Sequence, residues 1–408
     1  MRVLHIASGS GGGARLSAES LVETQNISSD IYARLMPDHS DRISNNIKSK
    51  FFVFIKNMTG KAITFAQRLV TRKPYGIVST FSISKISDKT IDSFRPDVIH
   101  LHNWFNLLSL DQLERLLAKY PVLINLHDQR LISGGCHLPM DCLNYLKNCH
   151  PCKAVKFGNK MVSNNHQQIL RIFGKEPKFS LVAPSNWGIS PFLNTSIGKN
   201  SIENLVIPNI IEGNYFQKQK SHYSSLEHLH ILFIASNINT EIKGLSILLS
   251  AVTNTLRDLN LTQQIHINVI GDGEQKPDLN VNYLGIVSNS KLASEMLKYD
   301  LCVVPSLVDN SPGTLIQSIL VGLPVLASNV GGIPEIMRRC GLENRLFDPN
   351  SQSLSLAIKN FMETPRDEII SAAVKARKEL IMAYDPESIV SRYGSAYKNL
   401  INQEKDKG

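Results

Sequence analysis

Long apolar runs are missing from this 408-residue chain. No stretch approaches the roughly 20 consecutive apolar residues that a membrane-spanning helix needs. Near the N-terminus, residues 3–7 form only a short strand-like run, which ends at Ser8 and a glycine cluster, so a signal peptide is not indicated. We therefore expect a cytoplasmic protein.

Several recognition signatures are missing as well. The chain has no GxGxxG fingerprint with a matching acid, which argues against NAD as a cofactor. No helix-turn-helix, zinc-finger or RNA-binding signature accompanies the net charge of +9, which argues against nucleic acid as a partner. A chain with 42% apolar and 19% charged residues has globular composition. Its length suits two domains of roughly 200 residues each better than a single core.

Acidic residues are absent from residues 42–73, which contain eight Lys or Arg residues with Phe, Ile and Leu interleaved. A basic segment of this kind can lie on an anionic membrane surface. A solvated helix face above a core stripe fits the same pattern. Both interpretations stay open: peripheral contact with the inner face of the cell membrane, or a basic surface helix.

Short β-rich runs alternate with helical stretches along the whole chain. Strands are predicted at residues 2–7, 98–102, 122–126 and 180–183 of the first half, and at 230–235, 266–270, 281–284, 301–304 and 324–327 of the second. Continuous apolar strands between helices indicate parallel sheets that are covered on both faces. The sequence thus predicts an α/β protein with two doubly wound, Rossmann-like domains that face each other across a cleft.

The predicted domain boundary falls in a polar stretch at residues 209–225. We assign residues 1–213 to an N-terminal domain, 214–385 to a second domain and 386–408 to a closing helix. Four residues of this last segment recur at helical spacing: Ile389, Tyr393, Tyr397 and Leu400. In open parallel sheets, ligands bind beyond the carboxyl ends of the strands, and a cleft between two domains is a favoured site for small molecules.

Two loops supply parts of an anion site, which needs backbone N–H groups, a helix N-terminus and a cation. Gly12 and Gly13 follow the first strand, and glycine lets the backbone approach a phosphate or a sugar closely. A plain tight turn explains these glycines equally. Lys243 stands at the start of a predicted helix, where the helix dipole disfavours a cation unless an anion binds nearby. A solvent-exposed lysine is the alternative.

A third loop leads into a predicted helix within residues 305–325. Ser311 suits the N-cap, Pro312 the first helical position and Gly322 the helix end. The residues predicted to surround an anion here are Asn310, Ser311, Pro312, Gly313 and Thr314. Gln317 lies one turn beyond Gly313 on the same face, where its amide can bind a ribose hydroxyl. A polar residue on an ordinary helix is the alternative.

Four of the six cysteines lie within residues 136–152: Cys136, Cys142, Cys149 and Cys152. Four thiolates suffice for a tetrahedral zinc site, and a reducing cytoplasm favours a structural metal over two disulfides. Free thiols that pack a loop are the alternative. Cys302 lies in an apolar strand and is predicted to belong to the core.

Taken together, four segments resemble the retaining glycosyltransferases of family 4, which have the GT-B architecture. The resemblance is strongest to the branch of colanic acid and other exopolysaccharide transferases. The segments are Gly11-Gly-Gly-Ala14, Leu126-His127-Asp128, Lys243-Gly244 and residues 309–335. The resemblance implies retaining transfer of a hexose from a nucleotide-diphosphate sugar to a saccharide acceptor. The products it implies are surface polysaccharides: exopolysaccharide, capsule or O-antigen.

The resemblance also implies residue roles. In the family, a Glu-x7-Glu motif binds the donor sugar and the ribose, and here Asp309 and Gln317 occupy its two positions. Lys243 is implied to stabilise the departing diphosphate, and His127 to lie near the reacting centre rather than to serve only structure. An Arg that usually precedes the Lys is missing from residues 236–239.

The implied mechanism is front-face attack without a covalent enzyme intermediate, which needs positioning and charge stabilisation. The chain has no Asp-x-Asp motif, which fits a metal-independent donor site without a catalytic cofactor. The cysteine run is similar to one in the exopolysaccharide branch, and its position beside His127 suggests that it shapes the acceptor side. The basic segment favours a lipid-linked acceptor over a soluble one.

Two other functions fit parts of the sequence. Asp309, Gln317 and the missing Arg suggest a non-catalytic GT-B protein that binds a nucleotide sugar or a partner enzyme. A nucleotide-sugar epimerase of the same architecture is a third interpretation, for which the resemblance is weaker.

Overall fold

The computed structural model describes residues 1–8, 13–36, 65–67, 69–72, 78–80, 82, 84–105, 107–140, 142–175, 178–221, 223, 228–259, 265–275 and 280–405. It divides into two compact units. The first contains Met1–Ile210 and Pro386–Gly408, and the second contains Ile211–Asp385. Most of the basic segment at residues 42–73 lies outside the described residues, so its predicted membrane contact stays a prediction.

The described part of the first unit contains a six-stranded, fully parallel sheet with the order β2-β1-β3-β4-β5-β6. Its strands are β1 (Arg2–Ala7), β2 (Tyr32–Leu35), β3 (Val98–Asn103), β4 (Val122–Asn125), β5 (Phe179–Ala183) and β6 (Asn204–Val206). β4 and β5 are buried along their whole length, as expected for strands covered on both faces. The chain reverses its winding direction between β1 and β3, which is the switch point of this sheet.

Helices connect these strands. They are α1 (Gly13–Ser28), α2 (Asp88–Ser93), α3 (Leu110–Lys119), α4 (Asn159–Phe173), α5 (Asn186–Leu193) and α6 (Ser196–Asn200). Serine or threonine hydroxyls start four of them by accepting a bond from a backbone N–H of the first turn: Ser87, Ser109, Ser185 and Thr195. On α3, Leu113, Leu116 and Leu117 are buried at helical spacing, which fixes the face that packs on the sheet.

The second unit repeats the architecture. Its described residues form a six-stranded parallel sheet with the order β12-β11-β10-β7-β8-β9. The strands are β7 (Leu229–Asn237), β8 (Ile265–Asp272), β9 (Val281–Gly285), β10 (Leu301–Val304), β11 (Val325–Ser328) and β12 (Leu346–Phe347). The winding direction reverses between β7 and β10, which are hydrogen-bonded neighbours. Both sheets confirm the predicted α/β class with two doubly wound domains.

The helices of the second unit are α7 (Asn214–Gln217), α8 (Leu245–Asp258), α9 (Asn289–Met296), α10 (Gly313–Leu320), α11 (Ile333–Arg339), α12 (Ser351–Glu363) and α13 (Arg366–Ala383). Apolar side chains of α10 and α11 pack in one cluster against β10 and β11, and those of α8 and α12 pack in another on the opposite face. Cys302 is fully buried on β10, in the first of these clusters.

The final helix, α14 (Pro386–Lys405), belongs to the first unit, although the chain reaches it after the second. The four residues at helical spacing that the sequence singled out are all buried there: Ile389, Tyr393, Tyr397 and Leu400. They pack with apolar residues of β1 and β4, such as Val3 and Leu123. In the described residues, no helix is long and apolar enough to cross a membrane.

Candidate active site

Two loops of the second unit meet at the carboxyl ends of β7 and β10, on either side of the switch point. The first loop contains a 3₁₀ turn at Glu241–Lys243. The second loop follows β10 and leads into α10. A backbone bond from Leu307 N to the Ile242 carbonyl, 2.8 Å long, joins the two loops. Ligands bind at such a position in doubly wound sheets.

Gly244 sets how closely these loops approach. Its φ is +75°, and a Cβ added there would lie 1.9 Å from the carbonyl oxygen of Pro305. Glycine is therefore required by both the backbone conformation and the space. Gly244 is also the N-cap of α8, so Lys243 lies in the turn just before this helix rather than inside it.

The loops bring Lys243 and Asp309 together. The ammonium Nζ of Lys243 donates to Oδ2 of Asp309 across 2.7 Å. The Lys243 side chain is 35% exposed and that of Asp309 13% exposed. An ion pair of this exposure contributes at most about 1 kcal/mol to stability. An incoming anion can therefore compete with the carboxylate for the ammonium at small cost.

A glycine turn after β11 holds the Asp309 backbone. Gly332 N donates to the Asp309 carbonyl across 3.0 Å. Gly331 has a φ of +61°, and a Cβ there would lie 1.8 Å from the same carbonyl oxygen. Asn310, next in the loop, is only 7% exposed. The position of the Asp309 carboxylate thus depends on a tight backbone contact with residues 331–332.

The helix α10 starts one residue later than the sequence predicted. Its N-cap is Pro312, not Ser311, and no side chain caps it. Proline has no N–H but keeps the extended backbone that an N-cap needs, whereas the Ser311 hydroxyl is buried before the helix begins. Gly313 and Thr314 form the open first turn, without an acidic residue. Gln317 lies one turn later and is half-buried.

Asparagines occupy the place where the resemblance expects an arginine. Asn237 is the last residue of β7, and its Oδ1 accepts from Asn239 N across 2.9 Å. Asn239 Oδ1 accepts in turn from Glu274 N across 2.6 Å. These amides therefore hold the loop where the resemblance expects a cation.

In the first unit, His127 and Asp128 follow β4 at its carboxyl end. The Nε of Arg130 donates to Oδ2 of Asp128 across 2.9 Å, and the Arg130 guanidinium lies 4.1 Å from the ring centre of Phe105. Burial raises the pKa of Asp128, but the charges of Arg130 and His137 outweigh it, and the net pKa lies below its usual range. Burial lowers the pKa of His127 to about 4, so this imidazole is neutral at neutral pH.

Three histidines behind His127 escaped the sequence analysis. His5 on β1 pairs in register with His100 on β3, and His102 follows on the same strand. All three are at most 3% exposed. The signal was present in the sequence, since a polar residue is unexpected in strands as apolar as 2–7 and 98–103. Among the described residues, they are the group whose potential ligand nitrogens lie within 4.8 Å of one another.

The cysteines Cys136, Cys142, Cys149 and Cys152 all carry free thiols. The Cys136 thiol donates to Cys152, which lowers the Cys152 pKa to about 6, and burial raises the Cys149 pKa to about 11. Gly134 N donates to Cys149 Sγ across 3.1 Å. In the described residues, their sulfurs do not form a ligand group as tight as that of the histidines. The predicted zinc site therefore stays a prediction.

Of the glycines predicted to bind the donor, Gly12 lies outside the described residues. Gly13 is the exposed first residue of α1, and a Cβ added there would meet nothing within 4 Å. Space alone therefore does not require glycine at position 13.

Residues 228–364 match the family model of glycosyl transferases group 1. The chain is 24% identical over 347 residues, 83% of each sequence, to an uncharacterized 41.2 kDa protein in the cps region of Klebsiella pneumoniae.

Two solved structures cover almost the whole chain. Sucrose-phosphate synthase from Thermosynechococcus elongatus superposes with a TM-score of 0.65 at 14% identity, covering 98% of this chain and 99% of that one. HepE from Anabaena, in complex with UDP-glucose, gives 0.61 at 15% identity with the same coverage. The predicted GT-B fold is thereby confirmed. The chain therefore has the GT-B fold, and residues 228–364 of its second unit are similar to the glycosyl transferases group 1 family.

Proposed function

We propose that the chain is a retaining glycosyltransferase. It transfers a hexose from a nucleotide-diphosphate sugar to a saccharide acceptor in surface polysaccharide synthesis. The observation that carries this proposal is the 2.7 Å pair of Lys243 and Asp309 at the switch point of the second sheet. The group 1 domain that contains both residues supports it.

The pair supplies two of the contacts that a nucleotide-diphosphate sugar needs. When the glycosidic bond to the diphosphate breaks, negative charge develops on the leaving oxygen, and a positioned ammonium such as that of Lys243 stabilises it. The open first turn of α10 offers backbone N–H groups to the same phosphates. Asp309, released from Lys243, accepts hydrogen bonds from sugar hydroxyls, and Gln317 binds the ribose.

This arrangement performs its chemistry without a protein nucleophile. The resemblance to family 4 implies that the acceptor hydroxyl attacks from the face that the diphosphate leaves. Its proton passes to the oxygen of the departing diphosphate, and the anomeric configuration is retained. The residues then contribute positioning and charge stabilisation. UDP-glucose is the first donor to try, because the similar HepE structure holds it and the cps-region relative fits a polysaccharide product.

Release of UDP from UDP-glucose by the purified protein, with and without saccharide acceptors, tests the proposal. Replacing Lys243 by Ala should lower the rate about 100- to 1,000-fold, the usual effect of losing one charge-stabilising group. Lys298→Ala is the matched control, because it removes another lysine ion pair of the second unit, with Glu295, from a 64% exposed position. A Lys243→Ala protein that releases UDP at the wild-type rate overturns the leaving-group role.

A non-catalytic function is the second candidate. The amides of Asn237 and Asn239 stand where related enzymes have an arginine, and Gln317 replaces an acid. Calorimetry with UDP-glucose separates the two candidates: a binding protein takes up the donor with measurable heat but releases no UDP over hours. NMR of any transferred sugar then reports whether its anomeric configuration is retained.

A further inference from the structure

Five polar side chains of the first unit form one hydrogen-bonded row that begins at His127. His127 Nε2 lies 3.3 Å from His102 Nδ1, and His102 Nε2 lies 3.0 Å from His5 Nδ1. His5 Nε2 lies 2.9 Å from Oε1 of Gln25, whose Nε2 donates to the Tyr397 hydroxyl across 3.1 Å. The row thus runs from the half-buried end of β4 to the interior contact between α1 and α14.

All the imidazoles of this row are neutral at neutral pH. Burial lowers the pKa of His5 to about 3 and of His127 to about 4, and it holds the pKa of His102 well below its usual value. A neutral imidazole has one N–H donor and one lone-pair nitrogen. In a row of such rings, the donor of one ring fixes the acceptor of the next, so one fixed end determines every tautomer.

Gln25 is that fixed end. Its Oε1 can only accept, so Nε2 of His5 must carry the proton and Nδ1 of His5 must be the acceptor. His102 then donates from Nε2 and accepts at Nδ1. The bond into His102 Nδ1 comes from His127 Nε2, which leaves Nδ1 of His127 as its lone-pair nitrogen.

The ring geometry favours this row over a metal site at His5, His100 and His102. Nitrogen lone pairs lie in the plane of the imidazole, so rings that bind one ion must point their edges at it. Instead, His100 and His102 stack with centroids 4.1 Å apart at 30°, and His5 and His102 stack at 23°. The 3.0 Å separation of His5 and His102 is that of a hydrogen bond.

We propose that Gln25, His5 and His102 are positioning residues that fix the tautomer of His127 and make its Nδ1 a hydrogen-bond acceptor. The tautomer follows from the row itself. The role of this tautomer in sugar transfer rests on the proposed function, in which His127 Nδ1 accepts a hydrogen bond from a sugar hydroxyl at the carboxyl end of β4.

Nitrogen-15 NMR of histidine-labelled protein at neutral pH tests the tautomer without any donor or acceptor, because protonated and lone-pair ring nitrogens resonate far apart. The wild-type protein should show His127 protonated at Nε2. A His127 protonated at Nδ1, or an equal mixture, overturns the proposal, since a reversed Gln25 amide would invert every donor in the row. Stoichiometric zinc uptake that shifts the His5 and His102 nitrogens overturns it as well.

Variants of Gln25 test whether this residue sets the direction of the hydrogen bonds along the row. The Gln25→Glu variant keeps an oxygen that accepts from His5, so it should keep the wild-type tautomer of His127. Gln25→Leu removes the acceptor and should give a mixture at His127, and a wild-type spectrum in this variant overturns the proposal. Tyr393→Phe is the control, because it removes a buried 3.2 Å bond from Asn125 that lies outside the row, and should leave the tautomer unchanged.

The rate of UDP release then tests the use of the tautomer. The rate should fall in proportion to the fraction of His127 in the competent form, about twofold for an equal mixture, and the variant Gln25→Glu should restore it. An unchanged rate in Gln25→Leu, despite a mixed tautomer, overturns the role in transfer but leaves the tautomer assignment intact. If the protein transfers no sugar at all, the NMR experiment still tests the tautomer assignment of His127 by itself.

Discussion

Lowering the pH from neutral to about 5 should strongly destabilise the first unit, because its histidine row must stay neutral to remain buried. Burial lowers the pKa of His5 from 6.5 to about 3 and that of His127 from 6.5 to about 4. The unfolded chain therefore binds more protons than the native protein once the pH falls below 6.5. The stability due to these rings is complete above that pH and is lost progressively as the pH falls, down to about 4 for His127 and about 3 for His5.

The size of the effect follows from the shifts. At pH 5, each of His5 and His127 should cost about 2 kcal/mol of unfolding free energy relative to neutral pH. His100 and His102 are as deeply buried, and burial holds their pKa values well below the usual one, so they act in the same direction. The loss from His5 and His127 alone is about 4 kcal/mol, a large part of a domain's stability of about 5–15 kcal/mol. Carboxylates with lowered pKa values, such as Asp128, contribute only at more acidic pH.

Urea unfolding followed by tryptophan fluorescence measures the effect in the right unit, because both tryptophans, Trp104 and Trp187, lie in the first. His5→Gln should weaken the loss of stability between neutral pH and about 5 by about 2 kcal/mol. Tyr393→Phe should keep the wild-type dependence. An unfolding free energy that is the same at both pH values would refute the reasoning that these rings are neutral because they are buried.

Three further predictions concern the other sites. Gly331→Ala should destabilise the second unit by about 3 kcal/mol in thermal unfolding, because its Cβ would collide with a backbone oxygen, whereas Gly341→Ala, with similar φ and open space, should cost only about 1 kcal/mol. Gln317→Glu should tighten UDP-glucose binding about fivefold in calorimetry, because a carboxylate forms stronger hydrogen bonds with hydroxyls than an amide does. Elemental analysis should find about one zinc per chain, lost in Cys152→Ser and kept in Cys302→Ala; a metal-free wild-type protein would leave free thiols as the correct interpretation.

Strand positions were predictable because parallel strands buried on both faces must be apolar throughout. The strands at residues 2–7 and 301–304 were predicted with their observed bounds, and the other predicted strands within two residues. The meeting of Lys243 with the loop after β10 was also predictable. Both segments follow strands whose carboxyl ends meet at one edge of the sheet, so a topological rule sufficed.

Short edge strands and side-chain networks were not predictable. The missed strands β2, β6 and β12 are brief, and their sequences are not distinctive enough to signal a strand. The histidine row depends on the register of β1 against β3 and on Tyr397 of α14, which lies 372 residues from its partner Gln25 in the sequence. The predicted start of α10 was wrong by one residue, because side-chain preferences for the N-cap are weaker than the backbone constraints of the loop.

The placement of α14 makes the second unit an insertion within the first. Residues 211–385 are contiguous and are synthesised without interruption, so this unit can complete its own folding on the ribosome. The first unit is discontinuous, since the tyrosines that close its sheet arrive last. Until they emerge, one apolar face of the early strands stays uncovered, and a chain cut short before residue 386 would contain a complete second unit and an incomplete first unit.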